Sequence, residues 1–173
     1  GTCTHSNVVL GAGAHSLKAV ADYYNNIVES NEGNNERTET ITWQGEPDIT
    51  SHYLSAYSVQ RGSAITAYYV INNPYAYSTN VGLGMSIRDP YGKIVDDVSG
   101  DKIVSAPSGS TTQSRTFYTP SSEAAGLYDY NLAIWSGAPG ATTKYDETGW
   151  QLDALEVTAT TTVTISGYVT DED

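Results

Sequence analysis

One stretch, Gly126 to Trp135, constrains the fold of this chain more than any other. Its residues alternate in character with a period of two, which is typical of a β-strand with one buried and one solvent-facing side. The predicted inner face consists of Tyr128, Tyr130, Leu132 and Ile134, and the predicted outer face of Leu127, Asp129, Asn131, Ala133 and Trp135. Because the inner face is so apolar, we expect this strand to be central in its sheet.

The entry to this strand carries a second signal. Pro120 and Gly126 bracket a polar loop, and Tyr128 follows two positions after Gly126. In β-sandwiches, a tyrosine that enters a long strand in this way donates a hydrogen bond from its hydroxyl back across the corner. We therefore expect Tyr128 to make such a bond.

Further strand candidates occur at the spacing typical of a sandwich. They are Ile65 to Ile71, Val81 to Arg88, Lys93 to Asp97, Ile103-Val104, Arg115 to Tyr118 and Leu155 to Val157, with a long loop after Trp135. About seven short strands without a helical period predict an all-β fold, an immunoglobulin-like (Ig-like) or fibronectin type III-like antiparallel β-sandwich over residues 46–158. The predicted core comprises Tyr69, Leu83, Met85, Ile87, Phe117, Tyr130, Leu132 and Ile134.

The strand Val81 to Arg88 has an unusual outer face. Gly82 and Gly84 alternate there with apolar residues, so half of the outer face carries no side chain. A bare glycine face allows close approach by another backbone or by a ligand.

Several short motifs of this region resemble accessory sandwich modules of multidomain secreted microbial proteins. The motifs are Asn80-Val81-Gly82-Leu83-Gly84, Ser86-Ile87-Arg88-Asp89-Pro90, Ala133-Ile134-Trp135-Ser136-Gly137, Tyr145-Asp146 and Gly149-Trp150. The resemblance implies an architecture and an extracellular setting, and it implies no reaction.

The N-terminal residues 1–45 form a separate segment, because Gly45 and Pro47 mark a change of domain. A strand from His15 to Ala21 and a second from Thr38 to Trp43 flank a polar loop rich in Asn and Glu. Such a loop stabilises itself through Asn and Asp side chains that bond to nearby backbone groups. Residues 8–44 resemble the closing half of a CARDB (cell-adhesion-related) domain, although the opening strands of that sandwich are not present. We expect an incomplete β hairpin whose apolar face needs another partner.

Residues 159–173 read as a threonine-rich linker followed by a lone strand. The run Val163 to Asp171 resembles the first strand of a carboxypeptidase regulatory-like domain. Unpaired strand edges are templates for other chains, so Val163, Ile165, Tyr168 and Val169 are candidates for an assembly strand. The partners would be other copies, or neighbouring domains of the same surface protein, and repeated strand donation would give a filament.

Charge limits the remaining partners. The chain has 8 Lys and Arg residues against 20 Asp and Glu residues, a net charge of −12, which disfavours binding to nucleic acid or anionic lipid. No apolar run is long enough for a membrane span. Cys3 is the only cysteine, so it makes no disulfide within the chain. Abundant Thr and Tyr favour an extracellular or cell-surface location.

Two acidic clusters are candidate calcium sites, because carboxylate oxygens on loops are suitable calcium ligands. The clusters are Asp96, Asp97 and Asp101 in the sandwich, and Asp22, Glu29 and Glu32 in the N-terminal loop. Neither matches a calcium-loop motif, and the alternative is a solvated acidic surface. No other cofactor is expected.

Aromatic residues provide a candidate glycan site. We expect the loops next to Trp135, Tyr145 and Trp150 to gather at one end of the sandwich, together with Tyr75 and Tyr77. Planar aromatic rings beside amides and carboxylates can stack on a sugar ring. The alternative is that these residues belong to the core.

The sequence contains no catalytic constellation. The three histidines lie far apart, and no nucleophile elbow surrounds any serine. We therefore predict a non-catalytic extracellular module of a microbial surface or secreted protein that acts in spacing, adhesion or assembly. The alternative function is a carbohydrate-binding accessory module of a secreted hydrolase.

Overall fold

The computed structural model describes residues 12–24, 26–28 and 30–160. The chain separates into two compact units between Glu46 and Pro47. Among the described residues the regular structure is β-strand, with two single 3-10 turns and no α-helix. The chain is therefore an all-β protein, and its second unit is a β-sandwich.

The first unit is a two-stranded antiparallel hairpin. Strand β1 spans Gly13–Val20 and strand β2 spans Glu36–Trp43, with Gly13 opposite Trp43 and Val20 opposite Glu36. The loop between them bonds to itself as the sequence predicts. Asp22 accepts hydrogen bonds from the backbone N–H groups of Asn26 and Ile27, at 2.9 and 2.7 Å.

The described part of the second unit, residues 47–160, contains ten strands in two sheets. They are β3 (Asp48–Leu54), β4 (Ser58–Gln60), β5 (Ala64–Asn73), β6 (Thr79–Arg88), β7 (Ile94–Asp96), β8 (Lys102–Ala106), β9 (Gly109–Tyr118), β10 (Gly126–Trp135), β11 (Lys144–Glu147) and β12 (Gln151–Thr158). The smaller sheet has the order β3-β5-β9. The larger sheet has the order β4-β12-β10-β6-β7, with β8 also paired to β6 and β11 also paired to β10.

The predictions for the central strand are confirmed. Strand β10 lies between β12 and β6 in the larger sheet, with antiparallel pairing to both. The side chains of its inner face, Tyr128, Tyr130, Leu132 and Ile134, are buried. The Tyr128 hydroxyl donates a hydrogen bond of 2.8 Å to the carbonyl oxygen of Ala124, which is the expected corner bond.

The core lies between the two sheets. All eight residues predicted for it are buried, with at most 4% of any of them exposed. A hydrogen bond also crosses the core. The Tyr69 hydroxyl of β5 donates to the Gly84 carbonyl oxygen of β6 at 2.7 Å. Because burial disfavours the phenolate, the pKa of Tyr69 is raised and the hydroxyl keeps its proton.

Three strand predictions need correction. Strand β9 begins at Gly109 rather than at Arg115. The prediction missed its first half because Ser and Thr at the outward positions there resemble the residues of a loop. The predicted long loop contains β11, a four-residue strand that pairs with the end of β10. The sandwich is also not wholly antiparallel, since the three-residue strand β4 pairs in parallel with β12.

Candidate functional site

A groove forms on the outer side of the larger sheet, where one edge of β6 passes from one partner strand to another. Strand β8 pairs with β6 from Thr79 to Leu83, and β7 pairs with it from Ser86 to Arg88. Gly84 and Met85 therefore lie between two partners. The cavity at this gap measures about 290 Å³, and its walls include Gly84, Ser86, Asp96, Asp101, Trp135 and Pro139.

The side chain of Trp135 forms the aromatic wall of this groove. Its ring packs against the backbone of Gly84, where an added Cβ would lie 2.6 Å from Trp135 Cζ3. At Gly82 an added Cβ would overlap the carbonyl oxygen of Gly137, from the loop that follows β10. The glycine face thus accepts close approach by another backbone, as the sequence predicts, and Trp135 stays partly exposed.

Hydrogen-bonding groups also line the groove. Ser86 and Asp96 are direct cross-strand partners on β6 and β7. The Ser86 hydroxyl donates a short hydrogen bond to Asp96 Oδ1, while the Asp96 residue remains exposed. The groove therefore combines an aromatic ring with an exposed carboxylate and a hydroxyl.

A buried arginine lies behind the groove. Arg115 of β9 is 1% exposed and donates to the carbonyl oxygens of Met85, Gly100 and Asp97, at 3.1, 3.1 and 2.5 Å. Its guanidinium also lies 3.1 Å from the Asp101 carboxylate and 3.9 Å from that of Asp97. This network links the smaller sheet to β6 and to the segment between β7 and β8.

The network affects the two carboxylates differently. Burial raises the pKa of Asp101, and the charges of Asp96 and Asp97 add to this, while Arg115 opposes it. Burial also acts to raise the pKa of Asp97, but hydrogen bonds from the Ser99 hydroxyl and from backbone N–H groups, together with Arg115, lower it overall. Both carboxylates therefore already have a cationic partner within the protein, the Arg115 guanidinium.

The two candidate calcium sites stay predictions. In the part of the chain that the structure describes, no group of three or more His, Cys, Asp or Glu side chains is placed to hold a metal ion. Asp22 uses both carboxylate oxygens within its own loop. Glu29 lies outside the described residues, and of Glu32 only its place at the start of a 3-10 turn is described.

A second aromatic cluster lies further along β6. The Arg88 guanidinium carbon sits 4.7 Å from the centre of the Trp150 ring. Asp129 of β10 holds Arg88 from its cross-strand position, with its Oδ2 atom 2.8 Å from Arg88 Nε and 2.5 Å from Nη2. The backbone N–H of Asp153 also bonds to Asp129, and this bond, followed by the Arg88 contacts, lowers the pKa of Asp129 against the opposing effect of burial. The guanidinium that contacts the Trp150 ring is therefore held in place by Asp129.

The predicted aromatic set does not gather at one end of the sandwich. Trp135 lies at the end of β10, whereas Trp150 lies at the level of Asp129 near its beginning. Tyr145 packs against the hydrophobic core from β11. Tyr75 and Tyr77 stack on each other after β5, with ring centres 5.4 Å apart. Alternation places Trp135 on the outer face, but the position of Trp150 depends on the unpredicted strand β11.

Sequence reasoning missed three residues that shape this region: Arg115, Ser86 and Asn131. Arg115 shares the inward parity of Phe117, so a charged residue in a core position was a signal available in the sequence. Ser86 and Asn131 are cross-strand partners on the outer face. Their meeting depends on the register between β6 and β10, which no local pattern specifies.

Two further predictions concern membrane crossing and assembly. Among the described residues, no helix has the length and apolarity that a membrane crossing needs. The candidate assembly strand, with Val163, Ile165, Tyr168 and Val169, lies outside the described residues. The assembly prediction therefore stays a prediction.

No protein-family model matches the chain, and no curated protein matches it. Solved structures do match. The C-terminal domain of Wzt matches with a TM-score of 0.47 and 15% identity, over 72% of this chain and 80% of that one. A β-glucuronidase of Bacteroides uniformis matches with a TM-score of 0.47 and 12% identity, over 61% of this chain and 14% of the enzyme.

A third match is a putative β-galactosidase from Bacteroides fragilis, with a TM-score of 0.42 and 19% identity. It covers 65% of this chain and 20% of that protein. The chain thus spans a small part of both glycosidases. The resemblances of residues 8–44, 46–158 and 163–171 to known families stay predictions.

Proposed function

We propose that this chain is a non-catalytic, extracellular accessory module that binds a glycan in the groove at Trp135. One observation carries the proposal: a partly exposed indole ring and the polar side chains of Ser86 and Asp96 line the same cavity. An aromatic face packs against the C–H groups of a sugar ring, while a carboxylate and a hydroxyl bond to its hydroxyl groups. The groove offers both kinds of contact.

The groove is also organised before any ligand arrives. Gly84 lets the indole ring lie against the backbone, and the loop after β10 approaches Gly82 closely. Asp97 and Asp101 of the groove wall are held in place by the buried guanidinium of Arg115. A site held by such contacts loses less conformational entropy on binding.

The test is a glycan array with the isolated chain, followed by titration of each glycan that binds. Trp135→Ala is expected to abolish saturable binding because it removes the stacking surface. The matched control is Trp43→Ala, since Trp43 is a 51% exposed tryptophan of the hairpin. Absence of any saturable binding, or binding that Trp135→Ala leaves unchanged, would reject the proposal.

A second candidate function, assembly through strand edges, is favoured by the hairpin. In the described part of the chain, β1 and β2 pair only with each other. Leu17 and Trp43 share one face of the hairpin and are 47% and 51% exposed. An exposed edge beside an apolar face is suited to an added strand.

Deletion of Val163 to Asp173 tests assembly by strand donation. If this segment completes the hairpin of the next copy, the full chain forms filaments in electron micrographs and the deleted chain does not. Filaments that persist after the deletion, or a full chain that remains monomeric at high concentration, would reject this candidate.

A further inference from the structure

We infer that the glycan is an extended chain of sugars lying along the outer face of β6, with Trp135 at one end and Trp150 at the other. This inference rests on the proposed function and specifies its ligand. It follows from the register of β6 and β10 and from the contacts of the two tryptophans.

The two aromatic rings stand at separate levels of one strand. The Trp135 ring packs against Gly84, and the Trp150 ring packs against Arg88. These levels are four residues apart on β6, which is about 13 Å along an extended strand. A single pyranose ring is much shorter than this distance, so only an oligosaccharide contacts both tryptophans.

The sheet surface between the rings is low and polar. Ser86 is the only β6 residue between those two levels that points outward, and its cross-strand partner is Asn131. Neighbouring Ala133 adds only a methyl group opposite Gly84, and both residues are already covered at the Trp135 end of the path. No large side chain of β6 or β10 therefore blocks a path between the tryptophans.

The polar groups along this path form a row across four strands. Asp96 of β7 accepts from Ser86 of β6, and Asn131 of β10 donates to Glu147 of β11 at 3.1 Å. The Thr148 hydroxyl lies 3.2 Å from Asn131 Oδ1. Hydroxyl groups of a sugar chain that crosses this row meet both donors and acceptors.

Charge favours neutral glycans for the test. The groove contains Asp96, Asp97 and Asp101 but only one guanidinium behind them, Arg115. Sulfated sugars and uronic acids would meet like charge there. The probes are therefore cello-, xylo- and N-acetylchito-oligosaccharides of one to six units.

Isothermal titration calorimetry measures how affinity depends on chain length. In a series that binds, the hexamer is expected to bind at least about tenfold more tightly than the dimer, a gain of about 1.4 kcal/mol. Trp150→Ala should remove this gain and leave the affinity for the dimer unchanged. Trp135→Ala should abolish measurable binding of both ligands.

Two further variants keep the test decisive. If Trp150→Ala unfolds the chain, Trp150→Phe takes its place in the test. It retains an aromatic ring and should keep part of the gain in affinity from dimer to hexamer. Tyr77→Ala removes an exposed aromatic residue away from the groove and should leave the affinities for the dimer and the hexamer unchanged.

The outcomes separate the two proposals. A dimer that binds as tightly as the hexamer, with Trp150→Ala equal to the parent chain, overturns the extended-chain inference and leaves the glycan function standing. If no series binds, this inference is rejected for all neutral probes, and an array without any binding glycan rejects the function as well.

Discussion

The two faces of the larger sheet use the same strands for different purposes. On the inner face of β6 and β10, the side chains are almost completely buried and pack in one hydrophobic core. On the outer face the same strands carry glycines, small polar residues, the Trp135 side chain, and the Arg88–Asp129 ion pair that contacts Trp150. Stability is therefore expected to depend mainly on the inner face. On the outer face, Trp135 and the loop after β10 cover Gly82 and Gly84, and the polar residues beyond them remain accessible to a ligand.

Removal of the arginine that joins the two sheets should have the largest effect on stability. Arg115→Ala leaves the Asp97 and Asp101 carboxylates without their buried cation and empties space in the core. Breaking a buried ion pair in this way costs roughly 3–5 kcal/mol in the free energy of unfolding. Denaturant titration of the purified variant measures this change.

The matched control is an ion pair on the other face. Lys144→Ala removes the exposed Lys144–Glu147 pair, whose atoms are 2.8 Å apart. Exposed pairs contribute below about 1 kcal/mol, because solvent screens them. Equal losses for Arg115→Ala and Lys144→Ala would contradict the separation of the two faces.

The next effect concerns apolar packing in β10. Leu132→Ala should lower the free energy of unfolding by roughly 2–5 kcal/mol, since Leu132 is completely buried. Trp135→Ala on the outer face of the same strand should cost less stability while it abolishes glycan binding. A loss well below 1 kcal/mol for Leu132→Ala would show that the inner face is assigned wrongly.

The inner face was predictable because local alternation specifies it. Tyr128 to Ile134 and Val81 to Ile87 reveal their buried sides by period two alone, and the Gly126-x-Tyr128 pattern predicts the corner bond. Strands with little apolar content were harder to find. Strand β4 has three residues, and β9 has Ser, Thr and Tyr at its outward positions, so neither has a strong local signal.

The candidate site was only partly predictable, because it is assembled from register. Trp135, Asp96 and Asp101 were each identified from sequence, but for different ligands, and the structure places all three around one cavity. Their proximity depends on the pairing of β6 with β7, β8 and β10. The role of Arg115 as partner of the carboxylates needs the packing of two sheets, which is a long-range property.

The smallest expected effect is that of calcium. Arg115 already provides positive charge to Asp97 and Asp101, and Ser86 bonds to Asp96, so a calcium ion would have to compete with these contacts. A ligand that binds the folded state raises stability by mass action, and a dissociation constant above the calcium concentration gives less than about 0.4 kcal/mol. We therefore expect the same melting temperature in millimolar calcium and in excess chelator.

A higher melting temperature in calcium would contradict this expectation. Asp96→Asn and Asp22→Asn would then locate the ion, since the increase should disappear only in the variant that lacks a calcium ligand. Loss of the increase in Asp96→Asn would mean that the outer face contributes to stability through a bound ion, and the division between the two faces would have to be revised.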